Sequence, residues 1–386
     1  MEIENNELSE LFSQYESLKE RNLFGRYITY QHLLPLLEKL TSVVVVKELG
    51  KSVKGVPINA IFVGNGKSKI LAWSQMHGNE STTTKALFDF LKACLVHSEN
   101  PVIKNILSNC SLCIIPMLNP DGAERYTRVN AHEVDLNRDA SNRQEPESAI
   151  LREAFLQFQP DFCFNMHDQR SIFSAGTHPQ PATLSFLTPS MDEERTVTSS
   201  RKISMQLIVA IEKELKRFIP GKIGRYDDAF NINCTGDTFQ SENIPTVLFE
   251  AGHFPDDYKR EETRKYVFLA LVSALYSISE NAINNFDWKD YFSIPENEKL
   301  FNDVVLKNCI VKGEKKEVAI QFKETLKNGK IEFLPVIEKI EKKLKVFGHK
   351  HFDCRNAQVK INDKQELSEN VIVDKFWVND EIFPII

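Results

Sequence analysis

Apolar positions along this chain recur with two different periods, and the switch between them divides it into regions. From Glu7 to Leu40 they fall at helical spacing (Leu8, Leu11, Phe12, Tyr15, then Leu33, Leu34, Leu36 and Leu37), which predicts two helices joined around residues 21–25. The β-branched run 43–46 and the run 57–63 predict two strands with a turn at 50–55 between them. Continuous apolar runs at 70–76, 111–118, 161–166 and 246–249 have the character of buried strands. Amphipathic patterns at 83–97, from 145 onward, at 196–218 and at 259–284 predict the helices that separate them, while 119–145 and 169–195 lack a period and are expected to be irregular. Strands alternating with helices predict an α/β fold, a mixed, mostly parallel twisted sheet with helices on both faces.

Beyond Trp288 the texture changes. Short alternating runs at 304–306, 318–322, 331–333, 359–361 and 371–373, set between Lys, Asn and Gly turns, predict a small all-β domain. Three regions result: a helical segment over 1–42 packed on the next region, an α/β unit over 43–288, and a β-rich domain over 295–386. The lysines of 339–345 are expected to form a solvated face.

Composition narrows the class. The 386 residues are 42% hydrophobic and 26% charged, as in ordinary globular proteins, and a formal net charge of −6 argues against a partner bound through phosphate neutralisation. No apolar run is long enough for a bilayer, and the acidic start Met1–Glu7 does not read as a signal peptide, so neither a membrane nor a nucleic-acid partner is expected. Seven scattered cysteines suit free thiols in a reducing compartment, and a cytoplasmic location is expected. Oligomeric state is not legible; a homo-oligomer stays open.

Three predicted strands run into His77, His167 and Glu250, and the carboxyl ends of strands are where open α/β sheets carry their sites. His77 and Glu80 stand three positions apart where a strand has ended and a helix has yet to begin, and this pair can take two corners of a zinc tetrahedron. A bare His-x-x-Glu also occurs in ordinary surface turns, so its meaning depends on the residues that follow. Long irregular loops such as 119–145 are commonly functional.

In chain order, His77-x-x-Glu80, Asn119-Pro120-Asp121-Gly122, Arg128, Asp135-Leu136-Asn137-Arg138, the lone His167 and Phe249-Glu250-Ala251-Gly252 resemble the M14 family of zinc carboxypeptidases, over roughly residues 43–285. The resemblance implies one Zn2+ ion held by His77, Glu80 and His167, with water in an open fourth position. It implies Glu250 as general base, in a pocket made partly apolar by Phe249 and Phe254, and Arg128 facing the oxyanion. Asn137 and Arg138 would grip the terminal carboxylate of a peptide substrate, although Arg138 has an alternative in a salt bridge to Asp135 or Asp139. Tyr226 is the candidate for a tyrosine that closes over substrate, with ordinary loop packing as its alternative. Asp168 or a backbone carbonyl would orient the histidines, and Asp237 or Asp228 would select a cationic side chain. The expected activity is hydrolysis of a C-terminal peptide bond. An N-acyl amino acid amidohydrolase resembling aspartoacylase and succinylglutamate desuccinylase is the alternative enzyme, and a non-catalytic binding protein the alternative from another class.

Overall fold

The computed structural model describes residues 6–362, 365–373, 375–379 and 381–384. The chain divides into two compact units, one of residues 1–169 with 182–297, the other of residues 170–181 with 298–386. Of the regions expected from sequence, residues 1–5, 363–364, 374, 380 and 385–386 lie outside the described residues.

The first unit is built on an eight-stranded mixed sheet. Its strands are β1 (Val45–Lys51), β2 (Pro57–Val63), β3 (Ser68–Ser74), β4 (Cys110–Ile115), β5 (Phe162–Asp168), β6 (Leu184–Leu187), β7 (Ile223–Arg225) and β8 (Thr246–Ala251). They lie in the order β1-β2-β4-β3-β5-β8-β6-β7, with β4, β3, β5 and β8 mutually parallel at the centre. The helices are α1 (Asn6–Ser13), α2 (Tyr15–Leu18), α3 (Tyr30–Leu40), α4 (Thr82–Val96), α5 (Pro101–Asn109), α6 (Pro120–Arg125), α7 (Pro146–Phe158), α8 (Ser199–Leu215), α9 (Thr235–Ser241) and α10 (Glu261–Ser279).

Successive side chains of a strand point to opposite faces, and the apolar central strands use both. Ile70 and Ala72 of β3 join one core with residues of α4, α5, α8 and α10, while Leu71 and Trp73 join another with α7 and α9. The second core is closed by Phe155 stacked on Phe239 at 4.2 Å, with Trp73 edge-on to Phe239 at 5.4 Å. Helices on both faces leave the carboxyl ends of β3, β5 and β8 as the place from which loops emerge.

The second unit carries a six-stranded sheet of β9 (Phe301–Val311), β10 (Glu314–Lys327), β11 (Lys330–Glu341), β12 (Phe347–Ile361), β13 (Lys375–Val378) and β14 (Glu381–Pro384), ordered β11-β10-β9-β12-β13-β14. The lysines of 339–345 are exposed, and Leu344 among them is buried. Residues 170–181, expected to lie in the α/β unit, group instead with this sheet: the Phe301 amide donates to the Ile172 carbonyl at 3.0 Å and Gln321 reaches the Ser171 hydroxyl at 3.0 Å. Contacts between residues well over a hundred positions apart leave no local trace in sequence. Strand 371–373 is also corrected, because only Ile372 pairs, in an isolated bridge to Val336.

Other departures have local causes. The Val43 and Val44 amides both donate to the Leu40 carbonyl at 3.0 Å, so the end of α3 consumes the start of the expected strand. Helix α5, absent from the sequence reading, begins where the Asn100 side chain accepts from the Val102 and Ile103 amides, with Pro101 in the first turn. Strand β6 arises inside a stretch without a period because β8 offers it an edge to pair with, and β7 pairs in turn with β6. The loop 119–145 contains α6 and a 3-10 turn at Leu136–Arg138.

The N-terminal segment is tied to α4 and α10 by buried charges. Arg264 lies against Asp89 with both side chains fully buried, and it also donates to the carbonyls of Leu23 at 2.6 Å and Glu20 at 2.8 Å. Asp89 further accepts from the Tyr15 hydroxyl at 2.9 Å and the Glu20 amide at 2.6 Å. Next to this pair, Glu261 meets Lys85 at 2.6 Å and Lys19 at 2.8 Å, and although burial raises its carboxyl, Lys85 and Lys19 hold it down to about 2. A folded-state value below the unfolded one means this stabilisation is full at neutral pH and is lost as pH falls towards about 2. Arg264→Leu leaves Asp89 as an unpaired buried charge and is expected to cost about 3–5 kcal/mol. Arg264→Leu combined with Asp89→Leu is expected to recover most of that loss; urea unfolding of the two variants checks both statements.

Candidate metal centre

Three short segments deliver the candidate ligands. β3 stops at Ser74, and the chain turns through Gln75, which sits at φ 50, into the loop that carries His77 and Glu80. The turn is closed by the Glu80 amide donating to the His77 carbonyl at 3.0 Å. Gly78 is required between them, since a Cβ there would lie 1.9 Å from the backbone carbon of Gly122. That contact is one of several with the loop at 119–122. The Asn119 amide donates to the Gln75 carbonyl at 3.1 Å, its side chain donates to the Met76 carbonyl at 3.1 Å, and its Oδ1 accepts from the Gly122 amide at 2.8 Å. Asp121 points away, accepting from the Ser52 hydroxyl at 2.9 Å and the Lys54 amide at 3.0 Å. The Asn-Pro-Asp-Gly stretch is thus a brace for the His77–Glu80 turn.

His167 comes from β5 itself, and parallel pairing sets it beside Glu250 of β8. His77 Nδ1 lies 2.9 Å from Glu80 Oε1, His167 Nδ1 lies 2.9 Å from Glu80 Oε2, and the two Nδ1 atoms are 3.1 Å apart. All three residues are buried, and they are the group of potential ligands found among the described residues. His77 Nε2 meets Asp135 Oδ1 at 3.0 Å. Burial favours a neutral Asp135, but His77 and Arg128 more than offset it and hold its carboxyl well below the usual range. An ionised Asp135 needs the hydrogen on Nε2, which leaves the Nδ1 lone pair of a neutral ring facing Glu80 and His167. Two imidazole nitrogens and a carboxylate at these separations, shut away from water, are drawn together by a ring proton or by a cation placed among them. The donor set of two imidazoles and a carboxylate is one that zinc accepts.

The surrounding charges follow from the same packing. Burial raises Glu80, but the two imidazoles hold it well below its ordinary value. Burial lowers His77, and Glu80 and Asp135 outweigh it, so its net shift is upward; for His167 burial prevails and the shift is downward. Glu250 is pushed well up, first by burial and then by the charges of Glu80 and Asp168, and its Oε2 is buried without a hydrogen bond.

The remaining expected site residues are placed as follows. Arg128 donates from Nε to Asp135 at 2.9 Å, and a terminal nitrogen lies 3.5 Å from Glu80, with the side chain about half exposed at 48%. Asn137 Oδ1 accepts from the Thr235 amide at 3.0 Å, and Arg138 donates to the Asn137 carbonyl at 2.7 Å and to Cys234 Sγ at 3.0 Å. Tyr226 is half-buried, its hydroxyl close enough to Glu250 and Glu80 that burial first and then their charges raise it. Asp168 does not orient a histidine. It accepts from the Thr82 amide at 3.1 Å and so caps the start of α4, and the orienting carboxylate is Asp135, first residue of the Asp-Leu-Asn-Arg motif. Asp228 is held by Arg195 at 3.1 Å and by Arg201. Asp237 is buried, accepts from the Asn231 amide at 3.0 Å, and is pushed up to about 7 by that burial.

With the site described, its relatives can be compared. Residues 29–194 match the family Peptidase M14, zinc carboxypeptidase. Mouse carboxypeptidase D is 31% identical over 173 residues, 40% of this chain but 12% of that protein. Carboxypeptidase SOL1 of Arabidopsis thaliana is 31% identical over 140 residues, covering 33% of this chain and 28% of its own length. The chain therefore spans well under half of these relatives. Among solved structures, a metallo-carboxypeptidase from Burkholderia cenocepacia superposes with a TM-score of 0.53 at 19% identity, over 66% of this chain and 70% of the other. Carboxypeptidase A from Helicoverpa armigera gives 0.53 at 17% identity, over 72% and 81%. At these identities the structural match establishes the carboxypeptidase-like α/β fold.

Asp135→Ala is expected to weaken divalent-metal binding by about 10–100-fold while leaving the thermal midpoint nearly unchanged, as loss of an orienting partner does elsewhere. Competition against a chelating dye measures it, and an unaltered affinity would remove Asp135 from the centre.

Proposed function

We propose, from its membership of the M14 zinc carboxypeptidase family, that this chain is a zinc-dependent carboxypeptidase that hydrolyses the last peptide bond of a substrate with a free C-terminal carboxylate. The observation that carries the reading is the meeting of His77, Glu80 and His167 within 4.8 Å of one another, in a buried site beside Glu250. His77, Glu80 and His167 would hold one Zn2+ ion. When bound, it supplies Lewis acidity, polarising the scissile carbonyl and lowering the pKa of a water from 15.7 towards about 7.

The chain's own residues divide the rest of the work. Glu250 takes the proton of the attacking water and hands it to the departing amine. Its upward shift suits both halves of that task, because a general base near neutral chemistry needs a proton affinity above that of an ordinary carboxylate. Arg128, anchored through Nε to Asp135, keeps its other guanidinium nitrogens for the oxygen on which negative charge develops. Asn137 and Arg138 lie next to each other on the 3-10 turn and suit recognition of the substrate's terminal carboxylate, the guanidinium being partly exposed to receive it. Tyr226 offers a hydroxyl on the Glu250 side. A peptide substrate and a reducing, cytoplasmic setting belong to the same proposal; seven free cysteines support the latter.

The relative named gamma-D-glutamyl-L-diamino acid endopeptidase 1 of Lysinibacillus sphaericus is 35% identical over 80 residues. Peptides ending in a diamino acid therefore belong in the substrate panel, beside N-acyl amino acids, whose preferential cleavage would favour the amidohydrolase alternative.

Glu250→Gln is expected to retain zinc at one ion per chain while kcat falls by at least about 100–10,000-fold on C-terminal peptides. Metal analysis together with release of the terminal amino acid tests this. A Gln variant that turns over normally would exclude Glu250 as the base, and a zinc-loaded wild type inert on the whole panel would exclude the hydrolase reading.

A further inference from the structure

Cys309 and Cys354 belong to the second unit, beyond the residues that match the family, and take no part in the chemistry proposed above. Their Sγ atoms are 3.3 Å apart, and both side chains are buried. Cys309 is on β9 and Cys354 on its parallel neighbour β12, and a break in the ladder brings the thiols together. Lys307 pairs with Asp353, but the next pairing is Cys309 with Ala357, so Cys354, Arg355 and Asn356 stand against Asn308 alone. An unbroken register would have set Cys309 opposite Arg355. Asn308, Arg355 and Asn356 all sit at positive φ, and the Asp353 carboxylate fastens the bulge by accepting from the Asn308 side chain at 2.8 Å and the Arg355 amide at 2.9 Å. Bulges re-aim side chains in this way.

Two observations separate this pair from thiols that merely fill a core. First, the sulfurs are unequal. The Cys309 thiol donates to Cys354, which holds Cys354 below its ordinary value despite burial and pushes Cys309 up. Cys94, Cys110, Cys113 and Cys163 are instead all pushed up by burial. Second, a cavity of about 710 Å³, lined among others by Phe352, Arg355, Phe376 and Glu381, has Cys354 in its wall. Arg355 and Glu381 are exposed, so the cavity opens to solvent on their side. A small reagent can thus reach the sulfur on which a thiolate is favoured.

We propose that Cys309 and Cys354 form a peroxide-reactive dithiol, in which Cys354 attacks the peroxide and Cys309 resolves the product to a disulfide. The Cys354 thiolate attacks one peroxide oxygen, the O–O bond breaks, and the other oxygen leaves as hydroxide, which takes the proton that Cys354 gave up and becomes water. Cys354 is then a sulfenic acid. The Cys309 sulfur attacks the Cys354 sulfur, the S–O bond breaks, and the hydroxyl leaves with the Cys309 proton as a second water. The two thiols lose two electrons and two protons, and the peroxide accepts both. Neighbouring strands run about 4.8 Å apart, inside the range of about 4.4–6.8 Å between Cα atoms that a disulfide spans. The sulfurs have only to close from 3.3 Å to the bonded distance of about 2.05 Å.

The test uses the full chain, reduced, freed of reductant and treated in the native state with hydrogen peroxide, then quenched with catalase, denatured, alkylated and digested for mass spectrometry. A peptide pair joined through Cys309 and Cys354, two hydrogens lighter than the reduced pair, is expected to form at least about 10-fold faster than any oxidation of Cys94, Cys110, Cys113 or Cys163, and to vanish with dithiothreitol. Cys309→Ser is expected to stop at a Cys354 sulfenic acid that dimedone captures, while Cys354→Ser gives no such adduct at Cys309. Equal rates at all the buried thiols, or a cross-link that forms only after denaturation, would overturn the proposal. A dimedone adduct at Cys309 in Cys354→Ser would overturn the assignment of Cys354 as the attacking sulfur. The wild-type comparison needs no variant to fold. Hydrolytic activity enters none of these readouts, so failure of the carboxypeptidase reading and failure of the dithiol are told apart.

Discussion

Two imidazole nitrogens and a carboxylate about 3 Å apart, screened from water, form an arrangement that holds together only around positive charge. Much of the first unit can be understood as the scaffold that keeps these groups in place. The four central parallel strands end on the same side, two cores clamp the sheet from either face, and two loops interlock so closely that Gly78 has no room for a Cβ. For a divalent cation the same closeness becomes affinity, because the ligands are already desolvated and aimed.

Around that cluster the residues form successive layers of support. Asp135 sets the His77 tautomer and also anchors Arg128, so a single carboxylate couples the orientation of a ligand to the position of a guanidinium. Asp168, one position after His167, caps α4, the helix that begins two residues after Glu80, and its amide donates to Glu80 at 3.1 Å. Ligands, their orienting partners and the helix start are thus mechanically continuous. A change at any of these positions would disturb how the candidate ligands are oriented.

The buried acid Glu250 occupies the other side of the site on β8, and the β6–β8 pairing brings Ser185 and, through it, Asn297 to the same spot. Hydrogen bonds among Gln169, Asn297 and Ser185 join the carboxyl end of β5 to the strand that pairs with Glu250. Rigidity of this kind is what lets a buried carboxylate with a raised proton affinity sit next to other acids without being driven into solvent.

Reading the chain alone located the parallel strands, the helices between them and the ligands His77, Glu80 and His167, because those features have local signals: continuous apolar runs, helical spacing, and polar residues just after or at the end of a buried strand. The motifs also carried Asp135, but nothing local distinguished it from Asp168 as the partner of a histidine. That choice depends on which carboxylate the loop at 119–138 brings to Nε2, and loop closure is a three-dimensional outcome. The same holds for β6, which is a strand only because β8 lends it an edge, for β7, which pairs with β6, and for residues 170–181, which group with a sheet formed over a hundred positions later. Asn297 makes the distinction plainest: in sequence it is one polar residue in a turn-like stretch, and its neighbours Gly224, Ser185 and Gln169 come from three separate segments. Periodicity and motif spacing determine what is encoded within a few residues of itself; which distant polar groups meet is decided by packing, because only the folded sheet brings their hydrogen-bonding atoms within 3 Å.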